Sequence, residues 1–465
     1  MRYLLAFIAV GLAVDLCEAA GLEELRVSVR PTEELGPVKD MHAVNNGPSV
    51  KYKSADDQMR GNFEDYRAMR TPFARTHDSI NCVPGGAHTV DITAVFPNFD
   101  ADETDLSNYD FAFTDAYLDT ITAAGTEVFY RLGQTIEHGV KKYGIYPPKD
   151  YAKWARICEQ IILRYKDRNH IRYWEIWNEP DLGWWDWQKN PRTWGGTPEA
   201  FDEFFGVAAR ALKAKFPELK IGGPALAGDE AWADRFLGYC ATNSVPLDFF
   251  SWHIYSVEPS EIAEKATRMR ALMDKHGYAK AESILNEWNY VKGWTGDYVY
   301  SVDTICGEHS IRGAAFTTAT MIACQDRPVD MLMYYDARIS TIFNGLFDRV
   351  ALRPIKGYYA IYAWSRLKDF GTQVKVSVPE GKGLYATAVK GKDGKVALLL
   401  ARYSSDNNVT SDINVRVTLE GRPLGQLRAH VTDSVRSHTE VLLFPNDDGT
   451  VTVRLQPTSF ALLEF

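Results

Sequence analysis

One rhythm governs most of the chain. From Val38 to Gly371 a short apolar run is followed by a turn and an amphipathic helix, eight times over. The strand-like runs are VKDMHAVN (38–45), FARTHDSI (73–80), EVFYRLG (127–133), IRYWEIW (171–177), LKIGGPAL (219–226), DFFSWHIYS (248–256), ESILNEWN (282–289) and VDMLMYYDA (329–337). Helical spacing follows at 54–70, with Ser54 as a candidate N-cap, and at 109–125, 148–167, 197–216, 231–242, 260–277, 308–326 and 355–371. Within 148–167, Tyr151, Trp154, Cys158, Ile161, Ile162 and Tyr165 fall at three- and four-residue steps, which is one face of a helix. Eight such pairs in about 335 residues imply an α/β fold of the (β/α)8 TIM-barrel type carrying insertions. An open, doubly wound sheet is the main competitor. It ordinarily has a glycine-rich phosphate turn after its first strand, and MHAVNNGPSVK contains no G-x-G-x-x-G.

After Gly371 the texture changes to short strands with turn dipeptides: TQVKVSV, LYATAVKGKDGKVALLLARY, INVRVTL, RAHVTDSV, TEVLLF, TVTVRLQ and SFALLEF. Lys392-Asp393-Gly394 is a hairpin signal, and the spacing implies a β-sandwich. Leu22 to Arg30 alternates apolar and charged residues, so 21–37 reads as an N-terminal strand joining that sandwich. The expected division is therefore a barrel at 38–371 and a sandwich at 372–465. Residues 1–20 combine Arg2, an apolar stretch from Leu4 to Val14 and small residues at a cleavage site. They read as a signal peptide, which implies a secreted or periplasmic protein. No run is long enough for a stable membrane span. A net charge of −9 without a basic run argues against a nucleic-acid partner. Beyond the leader, Cys82, Cys158, Cys240, Cys306 and Cys324 match no zinc template and read mostly as small buried hydrophobes, with a disulfide left open. Oligomeric state is not readable from the sequence.

In a barrel of this kind, reactive side chains sit where strands end and loops begin. Strand four ends YWEIWNEPD (173–181), leaving the carboxylate of Glu179 among tryptophans and a proline. Strand seven ends ILNEWN (284–289), which places Glu287 beside Trp288 and Asn289. Strands four and seven stand on opposite sides of a closed barrel, so the two acids face each other across its mouth. Carboxyl groups about 5–5.5 Å apart are what retaining glycoside hydrolysis requires. One of them must keep a proton near neutral pH, which burial promotes. The other must stay ionised, with donors such as Arg75 and Tyr255 nearby. Asn178, next to Glu179, is placed to bond a sugar hydroxyl.

WEIWNEPD and the later ILNEWN resemble the retaining glycosidases of clan A, and specifically glycoside hydrolase family 39, which contains β-xylosidases and α-L-iduronidases. The resemblance runs from Val38 to Gly371. It includes Arg75-Thr76-His77-Asp78, residues 95–111, 131–134, and Ser251-Trp252-His253-Ile254-Tyr255. It implies Glu179 as acid/base and Glu287 as nucleophile, on a barrel linked to a β-sandwich, with no cofactor and with an oligosaccharide or polysaccharide as substrate. Two departures bear on the sugar: Asn286 stands where Thr or Ser is common, and strand eight ends Tyr334-Tyr335-Asp336 rather than in Trp. The expected substrate contacts are Asn178, His77, Arg75, His253, Tyr255, Trp288 and Trp184. Trp184 heads a cluster with Trp185 and Trp187 that reads equally as a stacking wall or as loop packing. Glu175 reads as a barrel-interior partner. No metal is implied, since His77, Asp78 and His253 lack H-x-x-x-H spacing. Asn408-Val409-Thr410 fits a glycosylation acceptor. The competing class is a non-catalytic carbohydrate-binding protein on a glycosidase-like barrel; both acids being present favours the enzyme.

Overall fold

A computed structural model describes residues 21–49, 61–79, 88–134, 144–294, 296–339 and 344–465, together with the backbone of 52–53 and 59–60. The expected leader, Ser54 and Cys82 lie outside the described residues. Eight parallel strands close into a barrel: Asp40–Asn45, Phe73–Thr76, Glu127–Leu132, Tyr173–Ile176, Lys220–Leu226, Phe249–Ser256, Glu282–Tyr290 and Met331–Tyr334. The eighth pairs with the first, so no edge remains.

Helices form the outer layer where apolar faces recur at helical spacing. Tyr151–Tyr165 begins on Asp150, whose carboxylate accepts from the backbone N–H of Lys153 at 2.9 Å. It buries Trp154, Ile157, Cys158, Ile161, Ile162 and Tyr165. Pro198–Lys215 starts on Thr197, whose hydroxyl accepts from Ala200 N–H at 3.1 Å, with proline in the first turn. The single helix expected at 308–326 is instead preceded by a second helix, Tyr298–Glu308. Ser310 then caps a new start for Ile311–Gln325 by accepting from Arg312 N–H. Among the described residues no helix is long and apolar enough to cross a membrane. Cys158, Cys240, Cys306 and Cys324 are free thiols.

The rest of the chain forms a nine-stranded sheet rather than two separately bonded layers. Its layers are joined through the long N-terminal strand Glu23–Pro37. That strand runs parallel to Ile413–Leu419 through Val29, then antiparallel to Thr372–Ser377, with register shifts between Arg30 and Gly36. Such shifts bend a strand and let one sheet curl over its own core. Leu25, Val27, Val29, Leu398, Leu400, Val415, Val417 and Leu463 fill that core. The opposite face of Val396–Arg402 presents Ala397, Leu399 and Ala401 to the barrel's helices, within the same apolar cluster as the barrel itself.

Candidate active site

The barrel interior is layered. At its lower end Phe73, Phe129, Tyr173, Phe249, Ile284 and Met331 form an apolar plug. Two residues further along five of these six strands, on the same inward row, the character becomes polar: Arg75, Arg131, Glu175, Ser251 and Asn286; the sixth keeps Met333 in the plug. These polar groups are fully buried; Arg131 donates to His77 O and Asp91, and the other four form one network around Glu175. Glu175 accepts from Arg75 Nε at 2.7 Å, from Ser251 Oγ at 2.6 Å and from Asn286 Nδ2 at 2.5 Å. The guanidinium is thereby aimed upward. Its Nη1 donates to Asn45 Oδ1 at 3.1 Å and to Glu287 Oε2 at 3.2 Å, and its Nη2 donates to Asn178 Oδ1 at 2.6 Å.

The end of strand four is bent to turn Glu179 into the barrel. Trp177 and Glu179 both adopt left-handed backbone angles, with φ of 78° and 50°. That conformation is costly for side chains with a Cβ and persists only where neighbours hold it. Here Trp177 N–H donates to Leu132 O and Glu179 N–H to Ala225 O, both at 2.8 Å. The Thr193 hydroxyl donates to the Glu179 carbonyl, and the Trp177 ring locks outside the barrel against Trp154, Trp194 and Phe204. In strand seven the register with both neighbours shifts between Leu285 and Trp288. Asn286 and Glu287 therefore both reach the interior, and Trp288 points out.

Glu179, His253 and Glu287 each present an atom within 4.8 Å of the others. His253 Nδ1 lies 2.8 Å from Glu179 Oε1 and 3.7 Å from Glu287 Oε2. Tyr255 donates its hydroxyl to Glu287 Oε1 at 2.5 Å. Burial pushes the Glu179 carboxyl up to about 7, against the pull of Arg75 and Arg192. Burial raises Glu287 as well, while His253, Arg75 and the Tyr255 hydroxyl favour its ionised form. Glu287 thus holds two donors, whereas Glu179 Oε2 is buried with no partner. With both acids so close, the proton of the pair belongs on Glu179. Burial lowers His253 to about 4, so its ring is neutral near pH 7. Among the described residues, the two carboxylates and His253 are the group that could grasp a divalent cation, but the Arg75 charge beside Glu287 opposes one.

Around this centre, Asn178 Nδ2 and His77 Nδ1 are buried and have no hydrogen-bond partner among the described residues. His77 packs edge-on to Tyr335, whose hydroxyl donates to Asp78 Oδ2 at 2.6 Å. Arg338 is nearly buried between Asp336, which accepts from its Nε, and Asp78, 3.5 Å from its Nη2. Trp184 stands at the rim, 38% exposed, its Nε1 donating to Asp229. Of the expected sugar contacts, Trp288 sits elsewhere, while Arg75 and Tyr255 stand at the centre as the expected donors to Glu287. Trp288 is fully buried against Phe316 and Tyr334 in the layer between strand and helix, because the register shift reverses the alternation after Glu287. Arg75 is wholly enclosed, with its guanidinium engaged by protein groups, and Tyr255 is committed to Glu287; both act on carboxylates. Asp78 and Tyr335, noted in the sequence for a metal and for the sugar, belong to the site through their mutual hydrogen bond, and Asn45 and Ser251 join it as partners of Arg75 and Glu175 with no role expected of them from sequence. Asn45 and Ser251 share the inward period-two row of Arg75 and His253, a signal available in the sequence.

A sequence profile described as glycosyl hydrolases family 39 matches residues 28–288. A β-xylosidase of Caldicellulosiruptor saccharolyticus is 26% identical over 361 residues, covering 71% of this chain and 70% of its own. A β-xylosidase of Geobacillus stearothermophilus is 28% identical over 217 residues, covering 39% of this chain and 41% of its own. In fold, a glucosidase from Croceicoccus marinus superposes with a TM-score of 0.73 at 21% identity, over 95% of this chain and 98% of the other. The profile spans more than half of the chain and includes both strand-end acids. The protein is a glycoside hydrolase and belongs to glycosyl hydrolases family 39.

Proposed function

We propose that this hydrolase is an exported, retaining, exo-acting enzyme of the β-xylosidase type that removes a neutral sugar from an oligosaccharide. The observation that carries this reading is the spacing of the acids: one oxygen of Glu179 and one of Glu287 lie within 4.8 Å. Inverting chemistry needs carboxyl groups roughly 6.5–9.5 Å apart to seat a water between them. In the first step a Glu287 oxygen attacks the anomeric carbon as the glycosidic C–O bond breaks, and the Glu179 proton passes to the leaving oxygen. In the second, ionised Glu179 takes a proton from water, the water oxygen bonds to the anomeric carbon, and the ester to Glu287 breaks. Asn178 Nδ2 has no partner among the described residues, which supports a bond to a sugar hydroxyl. A neutral glycone is supported by Arg338, whose charge is matched by Asp336 and Asp78. The composition of residues 1–20 supports export.

The test is turnover of aryl xyloside, arabinofuranoside, arabinopyranoside, galactoside and iduronide by wild type, Glu179→Ala and Glu287→Ala, with the anomer of the first product read by NMR. Retained configuration on a neutral glycoside, azide rescue of the Glu179 variant and an inactive Glu287 variant are expected. Inverted product, or cleavage of the iduronide alone, would overturn the proposal; binding without any turnover would favour a carbohydrate-binding protein.

A further inference from the structure

A second concave site lies in the sheet domain, where a cavity of about 380 Å³ is lined by Glu23, Arg402, Asn408, Thr410, Ser411 and Asp412, among others. Arg402 is the unusual member. Along Val396–Arg402 the residues Leu398 and Leu400 point into the sheet's own core, and Arg402 continues that row. Alternation calls for an apolar side chain there, yet a guanidinium stands at the end of an apolar core. It is 8% exposed, its Nε is buried without a partner, and among the described residues nothing forms a hydrogen bond or ion pair with its side chain. The nearby acids are already engaged: Glu23 pairs with Lys382 at 2.8 Å, and Asp412 accepts from Arg454 at 2.7 Å. Gly383, at φ +61°, leaves the guanidinium its room, since a Cβ there would come within 3.0 Å of Nη1.

Burying an unmatched guanidinium is unfavourable, and such groups are normally paired. We propose that the cavity is an ancillary binding site for a sugar acid, with Arg402 taking the carboxylate. A guanidinium fork matches a carboxylate in a planar, two-bond arrangement. The Thr410 and Ser411 hydroxyls supply donors and acceptors for ring hydroxyls, and Asn408 an acceptor oxygen, its Nδ2 being held by Asp406 Oδ1 at 2.8 Å. The loop that carries these residues is tied to the barrel. Tyr403 donates its hydroxyl to Val257 O at 2.6 Å, and Ser405 donates to Glu258, directly beyond the end of the sixth barrel strand. The site therefore belongs to the side of the molecule where the carboxylate pair stands. An acidic side group held there would tether the polymer whose neutral sugars the barrel removes, but the binding itself does not depend on that hydrolysis.

The experiment is calorimetric titration of the purified protein with sodium glucuronate, a glucuronate-bearing xylotriose and sodium sulfate, with xylobiose as competitor. Glucuronate is expected to bind at one site, without displacement by xylobiose and more tightly than sulfate. Arg402→Gln should weaken it about tenfold or more, as loss of a charge-assisted pair does, while the thermal midpoint of the free protein holds or rises and aryl-glycoside turnover stays unchanged. Thr410→Ala with Ser411→Ala, on the rim, should weaken binding less and guards against a misfolded Arg402 variant. Tighter binding of the xylotriose would identify a polysaccharide side group as the ligand, and equal binding a free sugar acid. No glucuronate binding to wild type, equal binding to Arg402→Gln, displacement by xylobiose, or sulfate binding as tight as glucuronate would overturn the assignment.

Discussion

Glu179 carries opposing demands at a single residue. Its carboxyl, raised by burial to about 7, must be protonated to serve a leaving group, so kcat/KM on unactivated substrates is expected to fall as pH rises through about 7. A pH–rate profile checks this, and Glu179→Gln assayed on activated aryl glycosides should lose that limb. The same shift bears on stability. A carboxyl held above its ordinary 4.5 favours folding below that pH, and the contribution is lost as pH rises to about 7. At about 1.4 kcal/mol per pH unit, the loss amounts to about 3 kcal/mol. Glu179→Gln should therefore melt higher than wild type at pH 8 and close to it at pH 4; a lower midpoint at both would refute the argument. Glu175 makes the opposite case. It is the nearer buried counter-charge of Arg75, and Glu175→Ala should cost about 3–5 kcal/mol in denaturant unfolding, because it removes the acceptor of three buried hydrogen bonds and leaves Arg75 leaning on Glu287 alone, 3.2 Å away. Glu179 and Glu287 could be singled out from sequence because each closes an apolar run, Glu179 just beyond the strand end at Ile176 and Glu287 near the C-terminal end of Glu282–Tyr290. The direction of Trp288 could not, since one inserted step of register at Asn286–Glu287 reverses every later side chain and leaves no mark in composition.

At the scale of elements, seven of the eight barrel strands are shorter than their apolar runs, and only Glu282–Tyr290 outruns its own. IRYWEIW (171–177) suggests a strand through Trp177, but pairing stops at Ile176, and Trp177 and Glu179 turn left-handed. Hydrophobicity marks what is buried, and Trp177 is buried outside the barrel, so pattern alone cannot tell strand from strand end. The loop from 180 to 197 completes the element by folding back. Thr193 donates its hydroxyl to Glu179 O, and its own carbonyl accepts from Trp177 Nε1 at 3.1 Å. Thr193→Val removes that hydroxyl at nearly constant volume. If the clamp sets the position of the acid, kcat should drop roughly tenfold to a hundredfold with KM little changed. A raised KM at unchanged kcat would instead place Thr193 in substrate binding. The split at Ser310 has a similar origin. Ser310 can cap a helix as well as ride on one, and only the tertiary setting selects the cap.

At the scale of the whole molecule, the barrel and the sheet are one packing unit. Leu399, Ala401, Tyr403, Phe460 and Leu462 of the sheet share the barrel's apolar cluster, while Leu398 and Leu400, on the same strand as Leu399, fill the sheet's core. Helix Ile311–Gln325 lies between them and buries residues around its whole circumference, which is the signature of a helix packed on every side. Near-continuous apolarity in VALLLAR follows from the same sandwiching, since a strand covered on both faces does not alternate. A sheet that were only an appendage would melt on its own. Here both bodies should unfold in one transition by scanning calorimetry, with the calorimetric and van't Hoff enthalpies close to each other. Phe460→Ala, cut from the shared cluster, should cost about 3–5 kcal/mol and move that single transition down intact. Activity in the variant should persist below its lower midpoint and vanish with it, because the chemistry at the barrel mouth keeps its geometry until the shared core gives way. Two resolved transitions, with Phe460→Ala shifting only one of them, would show instead that the sheet and the barrel fold independently.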